Sequence, residues 1–204
     1  MDSYFYLGFC IKILLDSRAA VKADSSTRIF SLSSIVTLAV PIIALVAALL
    51  YGDTLLLDYV HVMTGATWTG VDLFMGLVMT RVLGGLEPPA RVQVIKRMVP
   101  ILLFFMPSLA FVTITAGIYL AQWEGLLVLQ SPLILASFAI IGVLGIQGFG
   151  IIMPNEVRVY FELRKEKPDT EKIVRLGLRN LKLAGSQVIF QIAIIFVMAN
   201  LAFV

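Results

Sequence analysis

Apolar residues run in five long blocks, at 29–50, 58–81, 98–122, 130–154 and 183–204, and polar residues collect in the gaps between them. Each block has the length of a bilayer crossing, since about 20 helical residues at ~1.5 Å each cover a ~30 Å hydrocarbon core. A helix satisfies its own backbone in lipid, so the pattern predicts an all-α, polytopic membrane bundle of five transmembrane helices. Residues 1–28 hold a twelve-residue apolar patch, YFYLGFCIKILL, too short to span, and predict an N-terminal interfacial or docking helix. Residues 155–182 are the most charged stretch and read as a cytoplasmic surface helix pair, broken at Lys167-Pro168-Asp169 and restarted with Asp169 or Thr170 as N-cap. Pro41 falls inside the first span, and Pro100 and Pro107 are expected to break the first half of the third. Between spans two and three, 82–97 reads as a loop: Gly84-Gly85 ends one helix, Pro88-Pro89 punctuates, and a short basic helix follows. No internal repeat or linker divides residues 1–204, which form a single membrane domain.

The second block departs from its neighbours in one respect. It carries the only histidine of the chain, His61, and a carboxylate deep in an apolar run, Asp72. Helical steps of three and four place Asp58, His61, Gly65, Trp68, Asp72, Met75 and Met79 on one stripe. Eleven residues separate His61 from Asp72, so they lie within about 20° of each other and roughly 16 Å apart along the axis. Such a face looks into protein, not lipid. Asp72 at mid-span carries a penalty of roughly 2.5–3.5 kcal/mol and needs a partner. Gln147, Gln187, Gln191, Thr113 and Thr115 are the candidates on other spans.

Composition agrees with a membrane class: 59% of the 204 residues are hydrophobic and 14% charged, against roughly 25% charged in soluble domains. The 16 Lys and Arg fall in three places, the N-terminal region, the 81–97 loop and the 155–182 segment, and the links around Asp53 and Glu124 have none. With five spans this alternation predicts a multi-pass protein of the cell membrane with its N-terminus cytoplasmic and its C-terminus outside. The net charge of +3 is therefore an orientation signal, and no nucleic-acid partner is expected. The start of the chain shows no cleavable signal pattern, and the single Cys10 excludes an internal disulfide and a Cys-based cluster within one chain.

Three chemistries suit His61. It is a haem or metal ligand with Asp58, one turn away, orienting its second ring nitrogen; or a proton relay with Asp58 and Asp72; or a structural hydrogen-bonding group. A haem site needs a further ligand from a methionine (Met106, Met153 or Met198, with Met63 on the wrong face), from a second copy or from a partner, unless the iron is five-coordinate. A metal site on His61 and Asp58 holds half a first shell. The eight methionines serve packing. Walker, dinucleotide, Gly-x-Ser-x-Gly, Ser-x-x-Lys and HExxH motifs are absent from the sequence.

His61 followed by Trp68-x-Gly70, with Pro154-x-x-x-Arg158 and RLGLRNLKLAG before a final apolar run, resembles the CopD-like membrane superfamily over residues 55–204. That group includes copper-resistance proteins, HemJ-type protoporphyrinogen oxidases and the membrane domain of some urate oxidases. The resemblance implies a helical bundle that binds haem b or moves copper, with His61 as the residue carried over. HemJ-type enzymes also use a membrane-embedded lysine and copper-resistance members carry more histidines, and this chain has neither. The reading that follows is a non-catalytic accessory subunit of a larger membrane complex, with other membrane subunits or a second copy as partner and haem b or copper as candidate cofactor. The alternatives are a small copper or proton-coupled transporter using His61, Asp58 and Asp72, and a HemJ-like porphyrin oxidase.

Overall fold

The computed structural model describes residues 32–201, and the N-terminal arm read as an interfacial helix lies outside them. Five helices long and apolar enough to cross a membrane follow in order: α1 (Leu32–Tyr51), α2 (Thr54–Gly85), α3 (Pro88–Trp123), α4 (Pro132–Glu162) and α5 (Thr170–Leu201). The described residues contain no strand. This is an all-α, multi-pass bundle. Large apolar side chains such as Leu50, Leu55, Ile189 and Phe196 stand out from it, an arrangement that suits lipid and not water.

Local chemistry explains the helix ends. Asp53 caps α2, its Oδ1 accepting from the amides of Leu55 and Leu56. At the other end of α2 the guanidinium of Arg91 donates to the carbonyls of Leu86 (2.6 Å) and Gly84 (2.9 Å), as a cation at a helix C-terminus should. Pro88 and Pro89 occupy the first turn of α3, where their missing N–H groups have no intrahelical partner to lose. Asp169 is the N-cap of α5, accepting from the Lys172 amide at 2.9 Å.

Three boundaries differ from the sequence reading. Helix α2 runs on to Gly85, and the short basic helix of the 82–97 loop is the first part of α3, leaving two residues between the helices. α3 is one 36-residue helix through Pro100 and Pro107. The Pro100 carbonyl accepts from Ser34 of α1 and Pro107 borders a cavity beside Trp68, and packing of the neighbouring helices on α3 holds the chain helical in spite of the missing donors. The two helices of 155–182 are real, but each continues a span: 155–162 ends α4 and 170–182 begins α5. Glu162 closes the turn between them, with Lys172 at 2.7 Å, Lys165 at 2.9 Å and the Asp169 amide at 3.3 Å.

Helices α2 and α3 form the centre. α1 packs on both from one side, and α5 packs on α2, α3 and α4 from the other. Serine hydroxyls bind α1 to α3, Ser108 to the Leu38 carbonyl at 3.0 Å and Ser34 to the Pro100 carbonyl at 3.4 Å. α2 and α5 touch through glycines: a Cβ on Gly185 would lie 3.0 Å from the Cα of Gly76, so neither position has room for a side chain. Both α2 and α4 contain a π-helical turn, at Met75–Met79 and Ile146–Ile152. The second lies just before Pro154, whose missing N–H would break a regular ladder there.

Candidate functional site

His61 lies on α2, facing α3. Its Nδ1 is 2.8 Å from the Thr113 carbonyl. A carbonyl only accepts, so Nδ1 carries the proton and, in the neutral ring, Nε2 keeps its lone pair. Nε2 makes no hydrogen bond with any described residue. The ring is wedged beside Gly117, where an added Cβ would sit 2.7 Å from the imidazole Cε1. One turn on, Thr64 and Thr113 join α2 to α3 at 2.9 Å, and Thr64 also donates back to the Val60 carbonyl. The histidine is thus held by its backbone neighbours in one tautomer and one orientation.

The ring borders a partly open cavity of about 560 Å³ between α2, α3, α4 and α5, with the exposed Val62, Ile118, Phe138 and Ile195 among its lining side chains. That volume falls in the range of small-molecule and cofactor sites. Its walls are mostly aliphatic, with Trp68 and Phe138 as aromatic surfaces and Met198 as a thioether. Asp58 and Glu124, both exposed, stand at its mouth. Among the described residues no Lys or Arg lines it.

Trp68 and Gln191 close the inner end of this cavity. Asp72 lies behind them, 2% exposed, and accepts from the Gln191 Nε2 at 2.7 Å. Of the five candidate partners, α5 supplies the one that is used. Gln187, one turn earlier, donates to the Leu144 carbonyl at 3.2 Å and so links α5 to α4. The Oε1 atoms of Gln147 and Gln191 are buried with no hydrogen-bond partner. A second, smaller cavity of about 70 Å³ follows, lined by Asp72, Gln187 and a carboxylate the sequence reading did not single out, Glu156. Met106 and Met153 line this inner cavity, not that of His61; Met198 alone of the three shares the histidine's chamber.

The stripe on α2 is therefore borne by the structure from Trp68 to Met75, all buried inward, while Asp58 emerges at the surface. Asp58 does not orient His61; the Thr113 carbonyl does. Glu156 escaped notice because it sits in the charged segment read as surface, yet the continuation of α4 carries it to the inner cavity. Its position two residues after Pro154, at the end of an apolar run, is the signal that could have found it.

Among the described residues no three His, Cys, Asp or Glu side chains group closely enough to hold a bare metal ion. A macrocyclic metal changes that requirement. Haem brings four ligands of its own and asks the protein for one or two axial donors, an apolar slot and a fixed imidazole. A histidine whose far nitrogen donates to a backbone carbonyl has the arrangement typical of a ligating imidazole. The residues present fit such a group: His61 as axial donor, Met198 on the same cavity, Trp68 and Phe138 as flat walls. No family model matches the chain, and no curated protein or solved structure matches it.

Proposed function

We propose that this protein is a membrane subunit that holds haem b between α2, α3, α4 and α5 through His61 and serves a larger membrane complex as a carrier of electrons. The observation that carries the reading is the pinned imidazole, with Nδ1 engaged at 2.8 Å and Nε2 left over beside a cavity of about 560 Å³. Haem, when bound, supplies one-electron chemistry. What the chain contributes is orientation, through Thr113 and Gly117, and exclusion of water, through the aliphatic walls. His61 and Met198, which line the same cavity, are the residues that would hold the group, and a His–Met donor pair suits electron transfer over substrate turnover. Among the described residues no cation lines the cavity, so carboxylates on the ring would belong at its open mouth, in water. In this reading the basic 81–97 and 155–182 ends lie on the cytoplasmic side of the cell membrane, and the mouth of the cavity opens outward.

The test is spectroscopic. Protein isolated in mild detergent from a haem-replete host should show a Soret band and sharp α and β bands on reduction. His61→Ala should lose them while circular dichroism stays unchanged. Met198→Leu should keep the haem and shift the reduced spectrum and the midpoint potential, whereas a five-coordinate iron would show no such shift. A copper carrier is the competing reading, and stoichiometric copper in a colourless preparation would favour it.

A further inference from the structure

Two carboxylates, Asp72 and Glu156, share the inner cavity, and among the described residues no Lys, Arg or His lines it. Asp72 accepts hydrogen bonds from the side chains of Gln191, at 2.7 Å, and Trp68. Glu156 makes no hydrogen bond or ion pair with any described residue. Gln187, 2% exposed, spends its Nε2 on the Leu144 carbonyl, and its Oε1 accepts no hydrogen bond from any described residue. The ionisable groups that line this chamber among the described residues are both carboxylates, in a bundle interior where unpaired negative charge is expensive. They call for a small positive charge. At about 70 Å³ the chamber holds at least about two waters, taking ~30 Å³ for each.

Asp72 also stands at the wall between the chambers. Gln191 and Trp68 both border the His61 cavity, and the Gln191 Oε1 is buried without a partner. An ionised Asp72 accepts from the Gln191 amide. A protonated Asp72 needs an acceptor for its O–H, and the idle Oε1 of the same amide provides one after a half-turn about its terminal bond. The orphaned atom is the partner of a second protonation state. Each carboxylate lies close to a π-helical turn, Met75–Met79 after Asp72 and Ile146–Ile152 before Glu156, the kind of irregularity that often accompanies functional sites.

We propose that Glu156, Asp72 and Gln191 form a proton path that joins the inner cavity to the His61 cavity. Glu156, half-buried near the basic end, takes a proton from water; chamber water passes it to Asp72; when the Gln191 amide turns aside, the Asp72 O–H breaks and its proton goes to water in the outer cavity, with His61, Asp58 and Glu124 as the titratable groups on that side. One proton enters and one leaves, and no electron moves. The path requires water to reach Gln191 in the outer cavity, beside whatever group His61 holds.

The full-length protein in liposomes, with a pH-sensitive dye inside and a potassium gradient clamped by valinomycin, tests it. Proton entry should exceed that of protein-free vesicles and fall at least tenfold in Asp72→Asn and in Glu156→Gln. The exposed Glu171→Gln should conduct like the wild type. Wild-type flux no greater than that of empty vesicles, or variants that conduct normally, would overturn the proposal, as would flux that requires sodium and ignores the proton gradient. Should Asp72→Asn fail to insert, infrared difference spectra of the wild type across a pH step still decide. A buried protonated-carboxyl band sensitive to deuterium supports the path, and its absence refutes it.

Discussion

Single contacts fix the chemistry of His61. Thr113 uses its carbonyl to select the tautomer, and Gly117 leaves the space the imidazole needs. Gly117→Ala should therefore push the ring off its partner, because the new methyl would meet Cε1 at 2.7 Å. The expected outcome is a haem-to-protein ratio well below that of the wild type, with helicity unchanged, measured by pyridine haemochrome and circular dichroism. Gly65→Ala meets only the Thr113 methyl group at 3.2 Å and should be milder in the same assay. At this scale the sequence was informative about which residues are unusual and silent about their partners. A lone histidine and a lone mid-span aspartate stand out in any apolar helix. That Gln191 and not Gln147 serves Asp72, or that a backbone carbonyl and not Asp58 serves His61, depends on how α3 and α5 dock, which no periodicity encodes.

Helix-scale features decide where those residues end up. Glu156 reaches the inner cavity only because α4 continues past Pro154 to Glu162, with the π-helical turn at Ile146–Ile152 absorbing the proline. Charge density marked that segment as surface, and most of it is. The sequence placed the bilayer-length apolar blocks correctly, since that signal is local. It misjudged 82–97 and Pro100 and Pro107 because tertiary packing overrode the proline and loop signals. Gly76 and Gly185 set the separation of α2 and α5, so Gly76→Ala or Gly185→Ala should destabilise by about 1–3 kcal/mol through overpacking. Unfolding from mixed micelles measures it. Ser108→Ala, which removes one bond from α3 to α1, should cost about 0.6 kcal/mol in the same titration, the typical value for an interhelical polar contact. Glu162→Gln should loosen the 163–169 turn, read as faster amide exchange at Asp169 and Lys172.

Across the whole molecule the two ends differ in sign. Asp53, Asp58 and Glu124 gather at one end, whereas Arg81, Arg91 and the 163–182 region gather at the other, with an apolar belt between. The proposed orientation predicts that a cysteine at Glu124 in a Cys10→Ser background reacts with an impermeant maleimide added to intact cells, and one at Glu166 reacts only after lysis. The reverse labelling would invert the bundle and put the mouth of the His61 cavity inside. The account rests most heavily on what that cavity holds. An absorption spectrum of the mildly solubilised protein, oxidised and dithionite-reduced, with elemental analysis of the same sample, addresses it directly. A Soret band with sharp reduced bands and about one iron per chain, lost in His61→Ala, is the predicted result. A colourless, metal-free preparation from a haem-replete host, with His61→Ala indistinguishable from wild type, would contradict it.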